Sequence, residues 1–190
     1  MTDYTIYNET NAPEGSRETL AAIKGGMGFI PNLMGTMAEA PSVLKAYVQL
    51  IDLMGATSLT AQEQRFLTLA ISTENACEYC VAAEGMLAHK IAKAPLDEVQ
   101  AVQESRPLLD LKLNTFVNFA REVVSSRGYP SKDLTTAFLA AGYTKQNILE
   151  VVLGASMKTL SNYTNHIADT PIDDAFAEYA VEPKLRNQAI

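Results

Sequence analysis

Apolar and polar positions along the chain repeat with a helical period almost throughout. In "TAQEQRFLTLAIS", Phe66, Leu67, Leu69, Ala70 and Ile71 make one broad apolar face. In "LDLKLNTFVNFAREVV", Leu109, Leu113, Phe116, Val117, Ala120 and Val124 fall along one side. Breakers divide the pattern into predicted helices. One spans 16–24 and is ended by "GGMG". A short one follows the turn at Pro31 and reaches Ala40. Pro41 then suits the first position of a helix that stops at Gly55. Thr60 with Glu63 three residues later is a capping-box signal. That helix breaks or bends at "STEN", and the next opens at Cys77 and runs to about Lys93. A short helix begins near Pro95, another ends at Gly142, and a long one runs from its cap at Thr144 to before Pro171. No strand alternation is visible. The expected fold is an all-α bundle forming a single domain over 1–190. It would carry an extended N-terminal arm over about 1–15 and a short polar C-terminal tail.

The helix 144–168 is nearly apolar all round through "ILEVVLGASM". Such a helix belongs in the middle of a bundle or at a subunit interface. Charge then narrows the class. The formal net charge is −7, and no block of basic residues appears, which argues against nucleic-acid or anionic-membrane partners. The N-terminal stretch lacks the basic start and apolar run of a signal peptide, and no apolar run approaches a membrane span. The expected compartment is the cytoplasm. There, a close cysteine pair points to catalysis or metal binding rather than a disulfide scaffold.

Both cysteines lie in "NACEYCVAAEGMLAHK" as Cys77-x-x-Cys80. On a helix these positions are neighbours. A thiol in the first turn is favoured as thiolate by the helix dipole and the free amide groups. A thiolate that attacks a peroxide becomes a sulfenic acid, and a second thiol nearby resolves it to a disulfide. The same pair serves dithiol–disulfide exchange. A purely structural pair is the plain alternative. Zinc would need further ligands, and no second cysteine pair exists. "GGMG" lacks the strand–helix context of a phosphate loop. No metal or organic cofactor is expected.

Four stretches carry a resemblance that covers most of the chain: "FIPNLMGTMAEAP", "LTAQEQRFLTLAISTENACEYCVAAEGMLA", "RGYPSKDLTTAFLAAGYT" and "ILEVVLGASMKTLSNYTNHIADTPIDDAF". Together they resemble the alkylhydroperoxidase D-like, or carboxymuconolactone decarboxylase-like, superfamily, in its peroxidase-related branch. The resemblance implies an all-α AhpD-like helical bundle, a homo-oligomer (dimer, trimer or hexamer) and thiol-dependent peroxidase chemistry. It implies Cys80 as the residue that attacks a hydroperoxide and Cys77 as the resolving thiol. A dithiol reductant or redox partner protein would restore the pair. The resemblance also marks two departures. Redox members have histidine where this chain has Glu84, and glutamate where it has Arg65.

Cys77, Cys80 and Glu84 fall at i, i+3 and i+7, one helix face. An ionised Glu84 disfavours a neighbouring thiolate, and Arg65 favours it. One reading makes Arg65 the group that keeps Glu84 ionised as a general base for Cys80. The other makes the two a structural ion pair beside an idle dithiol. His89 is expected opposite Cys80 on a continuous helix, and His166 on another helix; both read first as surface or packing residues. Glu63 reads as the partner of Thr60. Glu74 would meet solvent or the first cysteine, and Tyr79 would pack or line the mouth of the site. Met27, Met34, Met37, Met54, Met86 and Met157 read as core filler. Asp173, Asp174 and Glu178 read as a solvated face. Two other functions stand beside the peroxidase reading: acid–base lactone decarboxylation without the cysteines, and a non-catalytic oligomeric binding protein.

Overall fold

The computed structural model describes residues 3–181, and among these the regular structure is entirely helical. The elements are α1 (Glu14–Met27), α2 (Asn32–Met37), α3 (Pro41–Gly55), α4 (Ala61–Glu74), α5 (Glu78–Met86), α6 (Leu96–Gln103), α7 (Leu111–Ser125), α8 (Lys132–Ala140) and α9 (Lys145–Ala168). A π turn at Leu87–Ile91 continues α5, and a 3-10 turn at Asp174–Tyr179 follows α9. No helix among the described residues is long and apolar enough to cross a membrane.

Local signals set most boundaries. Thr60 and Glu63 close a reciprocal capping box on α4, and Thr144 and Asn147 do the same on α9. Pro41 is the first residue of α3. Three expectations need correction. Helix α1 begins at Glu14, inside the expected arm, and passes through Gly25 and Gly26 to end at Gly28, whose φ of 84° closes the helix in the left-handed region. The expected arm is pinned to the body: Tyr7 N donates to Gly35 O (3.1 Å), and Tyr7 OH donates to Glu39 (2.7 Å). Leu109 lies outside α7, because Asp110 is its cap, and is 96% exposed. The cysteine helix stops being α-helical at Met86, before Lys93. The last nine residues of the expected tail lie outside the described residues.

Helix α4 runs through the middle, against α5, α6, α7 and α9. Its Phe66, Leu67, Leu69 and Ile71 are fully buried, each contributing about 1.5–3 kcal/mol of apolar burial. Helix α9 crosses it closely: a Cβ on Gly154 would lie 2.6 Å from Leu67 Cδ2. On the other side Phe116, Phe119, Phe138 and Tyr143 stack with centroids 4.2–6.0 Å apart, joining α7 to α8. Helix α9 carries apolar residues on its outer face as well as its inner one, as its composition led us to expect. It buries Val151, Gly154, Met157 and Lys158 while exposing Leu149, Val152, Tyr163 and Ile167.

Candidate active site at the start of α5

The corner between α4 and α5 fixes the two sulfurs. Ala76 takes a φ of 54°, which costs a non-glycine residue about 1 kcal/mol and turns the chain sharply. Cys77 N then donates to Ser72 O (3.0 Å), and Asn75 Nδ2 donates to Asn162 Oδ1 (2.9 Å), tying the corner to α9. Cys77 becomes the residue capping α5, and Cys80 sits in its first turn. Both are buried and unlinked, at 1% and 2% exposure.

Helix α9 presents a polar stripe to them. Asn165 Nδ2 donates to Cys80 Sγ (3.2 Å) and lies 3.7 Å from Cys77 Sγ. Its Oδ1 is buried without a partner among the described residues. Ser161 Oγ lies 3.8 Å from Cys80 Sγ. One turn earlier is Lys158, only 1% exposed, whose Nζ donates to Glu84 Oε1 (3.0 Å). Glu84 Oε2 accepts from Thr68 Oγ1 (2.8 Å) and lies 3.5 Å from Arg65. Neither Glu84 oxygen hydrogen-bonds to a sulfur among the described residues.

These contacts split the thiols electrically. Burial pushes Cys80 up, but the hydrogen bond from Cys77, the Lys158 charge and Ser161 outweigh burial and the repulsion of Glu84, leaving Cys80 at about 6. Cys77 is pushed well above the thiol range, by its hydrogen bond to Cys80 and by burial. Glu84 is buried, which opposes ionisation, yet Lys158 and then Arg65 hold it below the usual carboxylate range. Burial opposes the charge on Lys158, but Cys80 and Glu84 keep it firmly protonated. Tyr47 is pushed up to about 12, chiefly by burial, so its phenol stays neutral.

A cavity of about 310 Å³ opens beside this cluster, lined by Cys80 but not by Cys77. Met27, Met34, Met54 and Met157 line it; Met34, Met54 and Met157 also fill the core, whereas Met27, expected there, is 42% exposed. Tyr79 also lines it, and its OH donates to Asp173 Oδ2 (2.6 Å). Asp173 accepts from Asn32 N as well (3.1 Å), so it is a strut rather than part of a solvated face. It holds the 3-10 turn in place, with Phe176 over the cavity.

The structure brings Cys77, Cys80, Glu84 and Arg65 together as one cluster. It does not bring in the histidines. The π turn ends the continuous helix, and His89 Nδ1 lies 2.7 Å from Tyr179 OH. The His166 ring stacks near Tyr163 on the exposed side of α9. Glu74 faces solvent, while Glu63 caps α4 and accepts from Tyr143 OH (2.8 Å). Sequence reasoning missed Tyr47, Lys158, Ser161 and Asn165. For the last three a signal existed: spacing i, i+3 and i+7 on an apolar helix. Among the described residues no cluster of metal ligands occurs.

The fold is that of the alkylhydroperoxidase D core, as the sequence resemblance implied. The chain matches the AhpD core of a peroxidase-related protein from Ralstonia eutropha JMP134 with a TM-score of 0.81 at 22% identity, over 91% of this chain and 93% of that one. A peroxidase-related protein from Silicibacter sp. TM1040 matches at TM-score 0.77 and 14% identity, over 92% and 95%. A cysteine-to-alanine variant of the debrominase Bmp8, in complex with 2,3,4-tribromopyrrole, matches at TM-score 0.79 and 18% identity, over 94% and 96%. No family model and no curated protein matches the sequence.

Proposed function

We propose that the protein is a thiol-dependent peroxidase that reduces hydroperoxides through Cys80 and Cys77. The observation that carries this reading is the asymmetry of the pair: Cys80 lines the cavity with a depressed pKa, and Cys77 sits behind it, protonated. The Cys80 thiolate attacks the distal oxygen of the hydroperoxide. The S–O bond forms, the O–O bond breaks, and the alkoxide leaves. The buried, neutral phenol of Tyr47 lines the same cavity and is a proton donor for that alkoxide. Cys77 then attacks the sulfenic acid, water leaves, and the disulfide closes. A dithiol reductant takes up the oxidising equivalents by exchange and returns both thiols.

In this scheme Lys158 and Asn165 hold the thiolate, and Glu84 positions Lys158. The general-base role for Glu84 is the competing assignment, and the Glu84→Gln variant separates the two. The exposed apolar line Leu149, Val152, Tyr163 and Ile167 on α9 suits a second copy of the chain, consistent with a homo-oligomer. A dithiol-reduced cycle suits the cytoplasm.

The test is stopped-flow reaction of the reduced protein with hydrogen peroxide and organic hydroperoxides, with free thiols counted. Cys80→Ser should abolish thiol loss. Cys77→Ser should retain the first step and accumulate sulfenic acid. Equal thiol loss in Cys80→Ser and wild type would rule out Cys80 as the attacking residue.

The likeness to a debrominase raises a second reaction for the same pair. There the thiolate would take bromine from a bromopyrrole carbon, a proton would replace it, and Cys77 would displace bromide to close the disulfide. A bromopyrrole in the same assay, with bromide measured, decides between them.

A further inference from the structure

The cavity carries more donor capacity than the reaction at Cys80 requires. Most polar groups on its wall are already engaged. Lys158 donates to Glu84, Thr68 donates to Glu84, and Gln64 Nε2 donates to Leu59 O (3.0 Å) and Thr57 Oγ1 (3.3 Å). Arg65 is different. Its side chain is 31% exposed, it lines the cavity, and its single ion-pair contact among the described residues is the 3.5 Å approach to Glu84. Arg65 adds its charge to Glu84, but each Glu84 oxygen has a closer hydrogen-bond donor, Lys158 at 3.0 Å and Thr68 at 2.8 Å. The rest of the guanidinium fork has no partner among the described residues. Such a fork matches the two oxygens of a carboxylate. The wall around it is apolar, with Met34, Ile51, Met54 and Phe176.

We propose that Arg65 seats a carboxylate, and that the cavity takes an anionic organic hydroperoxide rather than hydrogen peroxide. The apolar body lies against Met34, Ile51, Met54 and Phe176, the carboxylate on Arg65, and the peroxide at Cys80. The substrate class rests on the peroxidase reading; the carboxylate seat does not. A cavity of about 310 Å³ accommodates a small aryl or short alkyl acid and lies at the lower end of ligand pockets.

The experiment has a binding arm and a rate arm, both on the reduced full-length chain. Binding compares para-isopropylbenzoate with the uncharged para-isopropylbenzyl alcohol by calorimetry. The wild type should prefer the carboxylate by about tenfold or more, the range for a charge-assisted hydrogen-bonded pair. Arg65→Gln should level the two ligands, and Arg65→Lys should restore part of the preference. Rates compare cumene hydroperoxide with its para-carboxy analogue; the acid should react faster in the wild type, and the ratio should fall to near one in Arg65→Gln. Equal affinity of the wild type for acid and alcohol, which needs no variant, overturns the seat. So does a preference that survives in Arg65→Gln. If the acid binds through Arg65 but neither hydroperoxide consumes thiols, the peroxidase reading falls and the seat stands. If both hydroperoxides react at a ratio that Arg65→Gln leaves unaltered, the seat falls and the peroxidase reading stands.

Discussion

Replacing Lys158 by methionine removes a buried charge while nearly preserving volume. The side chain is 1% exposed and touches Glu84, so the change acts on the cluster and little else. Cys80 stands at about 6, against 9.0 for an unperturbed thiol. That gap of about three pH units is worth about 4 kcal/mol in favour of the thiolate. At pH 7 it keeps about 90% of Cys80 ionised. Lys158 is the cation that opposes burial and Glu84 at this sulfur. Without it, Cys80 should titrate higher, and each unit of rise beyond pH 7 lowers the thiolate fraction at pH 7, and the rate of peroxide reaction with it, about tenfold. Breaking the buried pair should also cost about 3–5 kcal/mol of stability, because Glu84 is left to Thr68 and Arg65. Adding Glu84→Gln to Lys158→Met removes the stranded charge and should recover much of that loss. The assay is thiolate absorbance against pH, with the rate of peroxide-driven thiol loss over the same range. Lys158→Arg should keep the low titration point. A Lys158→Met protein whose Cys80 still titrates near 6 would show that Lys158 does not sustain the thiolate.

Other outcomes follow from the same contacts. Glu84→Gln should shift the titration of Cys80 downward, because Glu84 repels the thiolate, and should leave the rate at pH 7 within about threefold; a large fall in rate would support the general-base assignment instead. The reduced wild type should gain stability over Cys80→Ser as pH rises from about 6 to 9, since a depressed acid group contributes above its folded value and loses that contribution as pH falls through it; denaturant melts at a series of pH values check the sign. Gly154→Ala should destabilise by about 1–3 kcal/mol, because its Cβ would press on buried Leu67; a neutral melt would show that α4 and α9 separate easily. Thr144→Ala should cost about 1 kcal/mol through loss of the capping box on α9, read by thermal melting.

Much of this architecture was legible in the residue pattern. Pro41 and Gly55 bound α3 as read, and Thr60 and Thr144 cap their helices, because proline and hydroxyl caps act locally. The glycine run after Lys24 misled, since buried Leu20 and the left-handed Gly28 set the end of α1 rather than the first glycine. The spacing put Cys77, Cys80 and Glu84 on one face, and the structure has Cys77 as the cap of α5 with Cys80 and Glu84 within it. Arg65 fell into place on the neighbouring helix through the resemblance. Lys158, Ser161 and Asn165 were passed over because they follow the apolar stretch "ILEVVLGASM", and only tertiary packing turns their stripe toward the sulfurs. The role of Asp173 was hidden for a similar reason: its partners Asn32 and Tyr79 are distant in sequence.

The most direct test adds one equivalent of an organic hydroperoxide to the fully reduced wild type and examines the product by mass spectrometry and thiol titration. Both thiols should be lost, with a disulfide joining Cys77 to Cys80 and one alcohol formed per disulfide. Both thiols intact with the hydroperoxide unconsumed would contradict the peroxidase reading.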